Sequence, residues 1–151
     1  MIQIHKAQKE HIDHIVDFQI KMAAETEDLH LDKEIVRSGV FHIFENGYKG
    51  YYLIASEHER VVASILVLYE WSDWRNGSVL WLHSVYVLPG YRKKGIFRRM
   101  FEKLRQEVIS DDTLKGIRLY VDKANKIAQD VYINLGMNDQ HYNLFEWMKP
   151  E

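Results

Sequence analysis

The chain contains no cysteine. Disulfides, thiolate metal ligands and a thioester on the protein itself are thereby excluded. Any acyl chemistry must use another nucleophile or pass directly between two substrates. Only two prolines interrupt the sequence, and it holds no repeat or low-complexity tract. Long apolar runs are also missing: "VVASILVLY" is among the longest, and it is about half of a membrane span. The opening "MIQIHKAQKE" lacks the basic-then-apolar pattern of a leader. The expectation is a cytoplasmic protein with no membrane partner. His11 and His14 share a helical face, but neither a cysteine nor a third nearby ligand accompanies them, so no metal is expected.

What the chain does have is apolar and aromatic content, 46% and 13% of its 151 residues. That is enough for one core, and a single domain over residues 1–151 is expected. The net charge of −2 argues against a nucleic-acid partner. Residues 1–91 hold 8 Lys and Arg against 13 Asp and Glu, whereas residues 92–151 hold 12 against 9. The basic excess starts with Arg92, Lys93, Lys94, Arg98 and Arg99. Cations gathered at one helix start suit a compact, multiply charged anion better than a polymer.

Periodicity outlines the elements. "IQIHKAQ" alternates as an edge strand, and residues 9–28 place Ile12, Ile15, Val16, Ile20 and Ala23 on one helical face. Asp32 can cap a second helix that ends at Asn46-Gly47. Strands at 48–57, 60–71 and 78–88, joined by short turns, form an antiparallel meander. A helix from Gly95 to about Asp112, a strand at 116–122, a helix from Asn125 to Leu135 and a last strand at 140–149 complete a β-α-α-β-β-β-α-β-α-β order. The fold class is mixed α/β, mostly antiparallel sheet flanked by helices.

The stretch "PGYRKKGIF" joins a strand to a helix. Gly90 and Gly95 have G-x-x-x-x-G spacing, but Ile96 and Phe97 stand where a nucleotide hydrolase needs Lys and Ser or Thr. A helix start leaves backbone N–H groups unpaired at its positive end, and Gly95 has no side chain to obstruct an anion. Such a loop grips phosphate oxygens without any means of cleaving them. The plain alternative is a solvated surface turn.

Two motifs add to this reading. After Val87-Leu88-Pro89 comes Arg92-Lys93-Lys94-Gly95-Ile96-Phe97, which resembles motif A of the GNAT superfamily of N-acetyltransferases, R/Q-x-x-G-x-G/A after a strand ending in V-x-P. Phe97 departs from the small residue usual there. "NKIAQDVYINLGM" resembles a second GNAT motif through Asn125, Ala128, Tyr132 and Gly136. The resemblance covers essentially the whole chain and implies a GNAT-like fold. It implies acetyl-CoA as co-substrate, held by Val85, Val87, Arg92, Lys93, Lys94, Gly95, Ile96, Phe97, Asn125, Ala128 and Tyr132. Tyr132 would protonate the departing thiolate, and the backbone N–H of Val87 would stabilise the oxyanion. Packing is the alternative role for Tyr132, and helix capping for Asn125.

An amine of the lysine type has a pKa of about 10.4, so a base must deprotonate it before attack. "LHSVYV" resembles the "HALAV" segment of arylalkylamine N-acetyltransferases, which implies that His83 relays protons, although Trp81 stands where those enzymes have a second histidine. A core histidine is the alternative. His83 shares strand parity with Trp81, Val85 and Val87. Glu25, Glu27, Glu70 and Asp73 could act through water.

The acidic N-terminal part favours a cationic small-molecule amine, with Glu25, Glu27, Asp73 and Trp74 as acceptor-binding candidates and Trp71, Trp74, Trp81 and Tyr52 as pocket walls. A protein N-terminus or lysine is the other acceptor class. A non-catalytic acyl-CoA-binding domain keeps the cofactor site without transfer. Exposed aromatics are compatible with a homodimer.

Overall fold

Alternating Ile2 and Ile4 open an edge strand, β1 (Ile2–Lys6), in the computed structural model, which describes residues 1–151. Helix α1 (Ile12–Glu27) follows a short 3-10 turn and buries Ile12, Ile15, Val16, Phe18 and Ala23. Helix α2 (Lys33–Glu45) begins at the expected cap, where Asp32 Oδ1 accepts from the N–H groups of Glu34 (2.9 Å) and Ile35 (3.3 Å). The long strands β2 (Gly50–Glu57), β3 (Arg60–Ser72) and β4 (Gly77–Val87) form the expected meander. Helix α3 (Ile96–Ser110) and strand β5 (Leu114–Leu119) follow. The sheet order is β1-β2-β3-β4-β5, antiparallel except for the parallel β4–β5 pair.

The chain divides into two compact units, Met1–Leu119 and Tyr120–Glu151. In the first, strand alternation assigns the two faces of the sheet. Tyr52 and Ile54 join Ile12, Ile15, Val16, Phe18 and Val40 beneath α1 and α2. The opposite parity, including Leu53, Ile65, Val67, Leu80 and Leu82, is buried with Ile96, Met100, Phe101 and Leu104 of α3. Each fully buried Leu or Ile contributes about 1.5–3 kcal/mol, so both helical layers are needed to cover a sheet that is apolar on both sides. β4 itself is buried on both parities, with Val79 on one and Leu80 and Leu82 on the other.

The second unit contains α4 (Lys126–Asn134). Its end is closed at Gly136 (φ 93°), with the Met137 N–H donating to Tyr132 O at 3.1 Å. The strand expected at 140–149 does not form: these residues join no ladder, and Tyr142, Leu144, Phe145, Trp147 and Met148 are exposed. Alternation supplies a preference, but a strand exists only when a neighbour takes its hydrogen bonds, and β5 pairs only with β4. β5 itself stops at Leu119 rather than continuing to Asp122, because its parallel ladder runs out opposite Leu82.

Candidate active site

The centre of β4 decides where chemistry can occur. β3 and β4 are in register at Leu66↔His83 and at Ser64↔Tyr86, so one extra residue is inserted in β4 between them. Ser84 takes a left-handed conformation (φ 52°) at this bulge. A bulge bends its strand and increases its twist. The parallel ladder to β5 ends at Leu82, so the stretch from His83 to Val87 keeps β3 on one side and has no β5 partner on the other. Strand backbone is thereby released at the position where the resemblance places Val85 and Val87 against the cofactor.

The bulge also corrects the parity of His83. Leu66 and Ser64 lie two apart on β3, so their partners His83 and Tyr86 share one face, that of α1, and Val85 and Val87 do not join them by simple alternation. Trp81 remains with His83, stacked at 6.1 Å between ring centroids and 14° between planes. Partial burial holds the His83 imidazole below its usual pKa. It is therefore neutral at pH 7, the form a proton acceptor requires.

Beyond β4, a 3-10 turn (Pro89–Tyr91) leads into Arg92, Lys93 and Lys94. Lys93 (φ 62°) and Gly95 (φ 76°) are left-handed, and Gly95 is the N-cap of α3. The Arg99 N–H donates to Gly95 O at 3.1 Å, which begins the helical ladder. The N–H groups ahead of it therefore lie at the positive end of a 15-residue helix. A Cβ built on Gly95 meets no atom within 4 Å, so the space over the loop is open. Phe97 is half-buried and packs against Phe101, at 6.2 Å between centroids. The bulky residue is thus accommodated by its own helix. These residues fit a diphosphate.

Arg92 has more partners than the loop alone would provide. Its Nε donates to Val87 O at 2.7 Å, and Nη2 donates to Glu25 Oε2 at 2.8 Å. Tyr86 Oη donates to the other oxygen, Glu25 Oε1, at 2.8 Å. These two donors hold the Glu25 carboxyl below its usual range. Burial and the Glu25 carboxylate push the Tyr86 phenol up to about 12. The structure therefore brings together Glu25, an acceptor-side candidate, and Arg92, a cofactor candidate, 67 residues apart. Nothing local in the sequence signals this contact, and Tyr86 was missed altogether.

The other acceptor candidates are dispersed. Glu27 is exposed at the last turn of α1. Asp73 and Trp74 lie in the β3–β4 turn, where Asp73 Oδ1 accepts from the Trp74 N–H at 2.9 Å. The whole of β4 separates that turn from the anion loop, about 30 Å at the usual strand rise of about 3.3 Å per residue. The expected pocket wall is not assembled either. Tyr52 is buried in the α1 core, whereas Trp71 and Trp74 are 63% and 88% exposed. Glu70 is engaged by Arg118 at 3.0 Å.

In the second unit, Asn125 Oδ1 caps α4 by accepting from the Ala128 N–H at 3.1 Å. Replacing Asn125 by Ala is expected to cost about 1 kcal/mol, lowering Tm by about 2–4 °C in a thermal melt. Ala128 and Tyr132 are one helical turn apart and both half-buried, whereas Ile127 and Val131 are exposed. Leu135, three residues on from Tyr132 on the same face, is buried. Burial raises its phenol pKa, which keeps the hydroxyl protonated and able to donate.

Residues 12–137 match the Acetyltransferase (GNAT) family. The chain is 38% identical to a "possible acetyltransferase" from Clostridium difficile 630, covering 100% of this chain and 99% of that one with a TM-score of 0.92. It is 37% identical over 79 residues to thialysine N-epsilon-acetyltransferase of Bos taurus, a match that spans 52% of this chain and 45% of that protein. The fold is shared with AAC(6')-Iy in complex with the bisubstrate analogue CoA-S-monomethyl-acetylneamine, at 15% identity, TM-score 0.79 and 99% coverage of both chains. With a left-handed loop before α3 and a β4–β5 ladder that ends at Leu82, the chain belongs to the GNAT family of acetyltransferases.

Proposed function

We propose that the protein transfers an acetyl group from acetyl-CoA directly to a primary amine of a small molecule. The observation that carries this reading is the loop from Arg92 to Gly95, whose left-handed residues and open space stand at the start of α3. Acetyl-CoA supplies the activated acyl group and a diphosphate handle. Lys93, Lys94 and the loop backbone hold that handle, with Ile96 and Phe97 opening the helix beneath it. The lack of cysteine excludes a thioester on the protein, and direct transfer needs no nucleophile from the chain. The backbone of Val85 and Val87, released from the β5 ladder, orients the acyl group and donates to its oxygen. His83 takes the proton of the amine, directly or through water, and Tyr132 gives a proton to the departing sulfur.

The acceptor class is supported by Glu27 and Asp28 at the end of α1, which form no ion pair within the chain and would attract a cationic amine. The thialysine enzyme and the acetylneamine complex, both small-amine systems by name, point the same way. The test is calorimetric titration with acetyl-CoA, with CoA and ATP as controls, followed by a thiol-release screen against pooled amines. Binding with release is the expected result. Binding with release only from peptides would move the acceptor to a protein amine. Binding with no release from any pool would favour an acyl-CoA-binding domain.

The base has its own pH signature. Because burial lowers the His83 pKa, kcat/KM is expected to fall as pH drops through that lowered value, further into acid than an ordinary imidazole would place the limb. His83→Gln should remove this limb and reduce kcat by about 10²–10⁴-fold. An unchanged limb in the variant would assign the base elsewhere.

A further inference from the structure

The end of β4 poses a mechanical problem. Past the bulge at Ser84 it has β3 on one side only, yet under the proposed function this is the backbone that must hold an acyl group in one place. A strand end lacking half its ladder needs another support. Arg92 supplies one by donating from Nε to Val87 O at 2.7 Å. Arginine has a long, flexible stem, so this contact is only as firm as whatever holds the other end of the guanidinium. The Tyr86 ring lies beneath it, 5.3 Å from the guanidinium carbon to the centroid, and the Glu25 carboxylate accepts from Nη2 at 2.8 Å. Glu25 is in turn held by the hydroxyl of Tyr86, whose side chain is buried in the α1 core. The chain of contacts closes on itself: the core fixes Tyr86, Tyr86 fixes Glu25, Glu25 fixes Arg92, and Arg92 fixes the carbonyl of Val87.

We infer that Glu25 is a positioning residue which, through Arg92 and Tyr86, braces the end of β4 that lacks a β5 partner, and the loop that follows it, for acetyl-CoA. This rests on the proposed use of acetyl-CoA. It gives Glu25 a part beyond acceptor binding: each carboxylate oxygen already accepts from one of the chain's own donors. Charge alone gives the opposite sign, because an anion beside the loop should weaken the binding of a diphosphate. A loss of affinity on removing this anion would therefore report positioning.

The experiment is calorimetric titration with acetyl-CoA of the wild type, Glu25→Ala, Glu25→Gln, Arg92→Ala and the Glu25→Ala/Arg92→Ala double variant, with a thermal melt of each. Coupled neighbours show non-additive effects. In the wild-type background Glu25→Ala is expected to weaken acetyl-CoA binding about tenfold, and in the Arg92→Ala background by less than about twofold. Glu25→Gln keeps the size and an acceptor for Tyr86 but loses the charge-assisted bond to Arg92. It should lose about threefold, and it preserves the test if the alanine variant folds poorly. A lower Tm with unchanged affinity, equal losses in both backgrounds, or tighter binding by Glu25→Ala would each overturn the brace while leaving acetyl-CoA as the ligand. A wild type that binds no acetyl-CoA would overturn both.

Discussion

Gly95→Trp is expected to weaken acetyl-CoA binding by at least about 100-fold, which corresponds to losing one or two charge-assisted hydrogen bonds at about 1.5–3 kcal/mol each. Gly95 caps α3 at φ 76°, and nothing stands within 4 Å of where its Cβ would be. An indole at this position meets no wall of the protein, so it projects into the space the diphosphate would occupy. The left-handed backbone adds a strain of about 1–2 kcal/mol for any residue with a Cβ. Gly95→Ala separates the two effects. It carries the strain but little bulk, so its Tm should fall about as far as that of the tryptophan variant while most of the affinity is retained. The readouts are calorimetry with acetyl-CoA and a thermal melt. Equal affinity in Gly95→Trp and the wild type would remove the loop from the cofactor site.

Tyr132→Phe should lower kcat by about 10²–10⁴-fold, the usual yield of a positioned proton donor, and leave the Kd for acetyl-CoA within about threefold. The substitution removes one hydroxyl and keeps the ring, so packing on α4 is preserved. The hydroxyl has the right protonation state for the role because burial keeps the proton on the phenol throughout the neutral range. As pH rises, an acid whose pKa is raised by burial keeps its proton longer, so loss of activity through this group should lie further into the alkaline range than for an ordinary phenol. Stopped-flow or steady-state thiol release, with the acceptor found in the amine screen, gives the numbers. A parallel loss in kcat and in affinity would make Tyr132 a packing residue.

Much of the architecture was legible because it rests on local physics. The helical faces of α1 and α3 follow from apolar spacing, Asp32 and Asn125 are capping residues where capping residues were expected, and short turns imposed the meander. The conformation of the loop before α3 was legible for the same reason: a Gly before an amphipathic helix leaves N–H groups directed outward whatever else the chain does. The strand at 140–149 was misjudged because alternation reports a preference and cannot supply a partner.

The remaining features depend on residues that the sequence keeps far apart. One inserted residue at Ser84 changed which side chains stand with His83, a shift invisible in "LHSVYV" because a bulge exists only relative to the opposite strand. Glu25 reads as an ordinary acidic residue at a helix end, and only folding sets it against Arg92 and Tyr86. Loop chemistry, helix faces and the exclusion of a cysteine nucleophile thus belong to the order of residues alone, since each is set within a few positions of backbone. The pairing register, the released end of β4 and its brace belong to the tertiary structure, since each is a relation between elements that meet only when the sheet closes on α1.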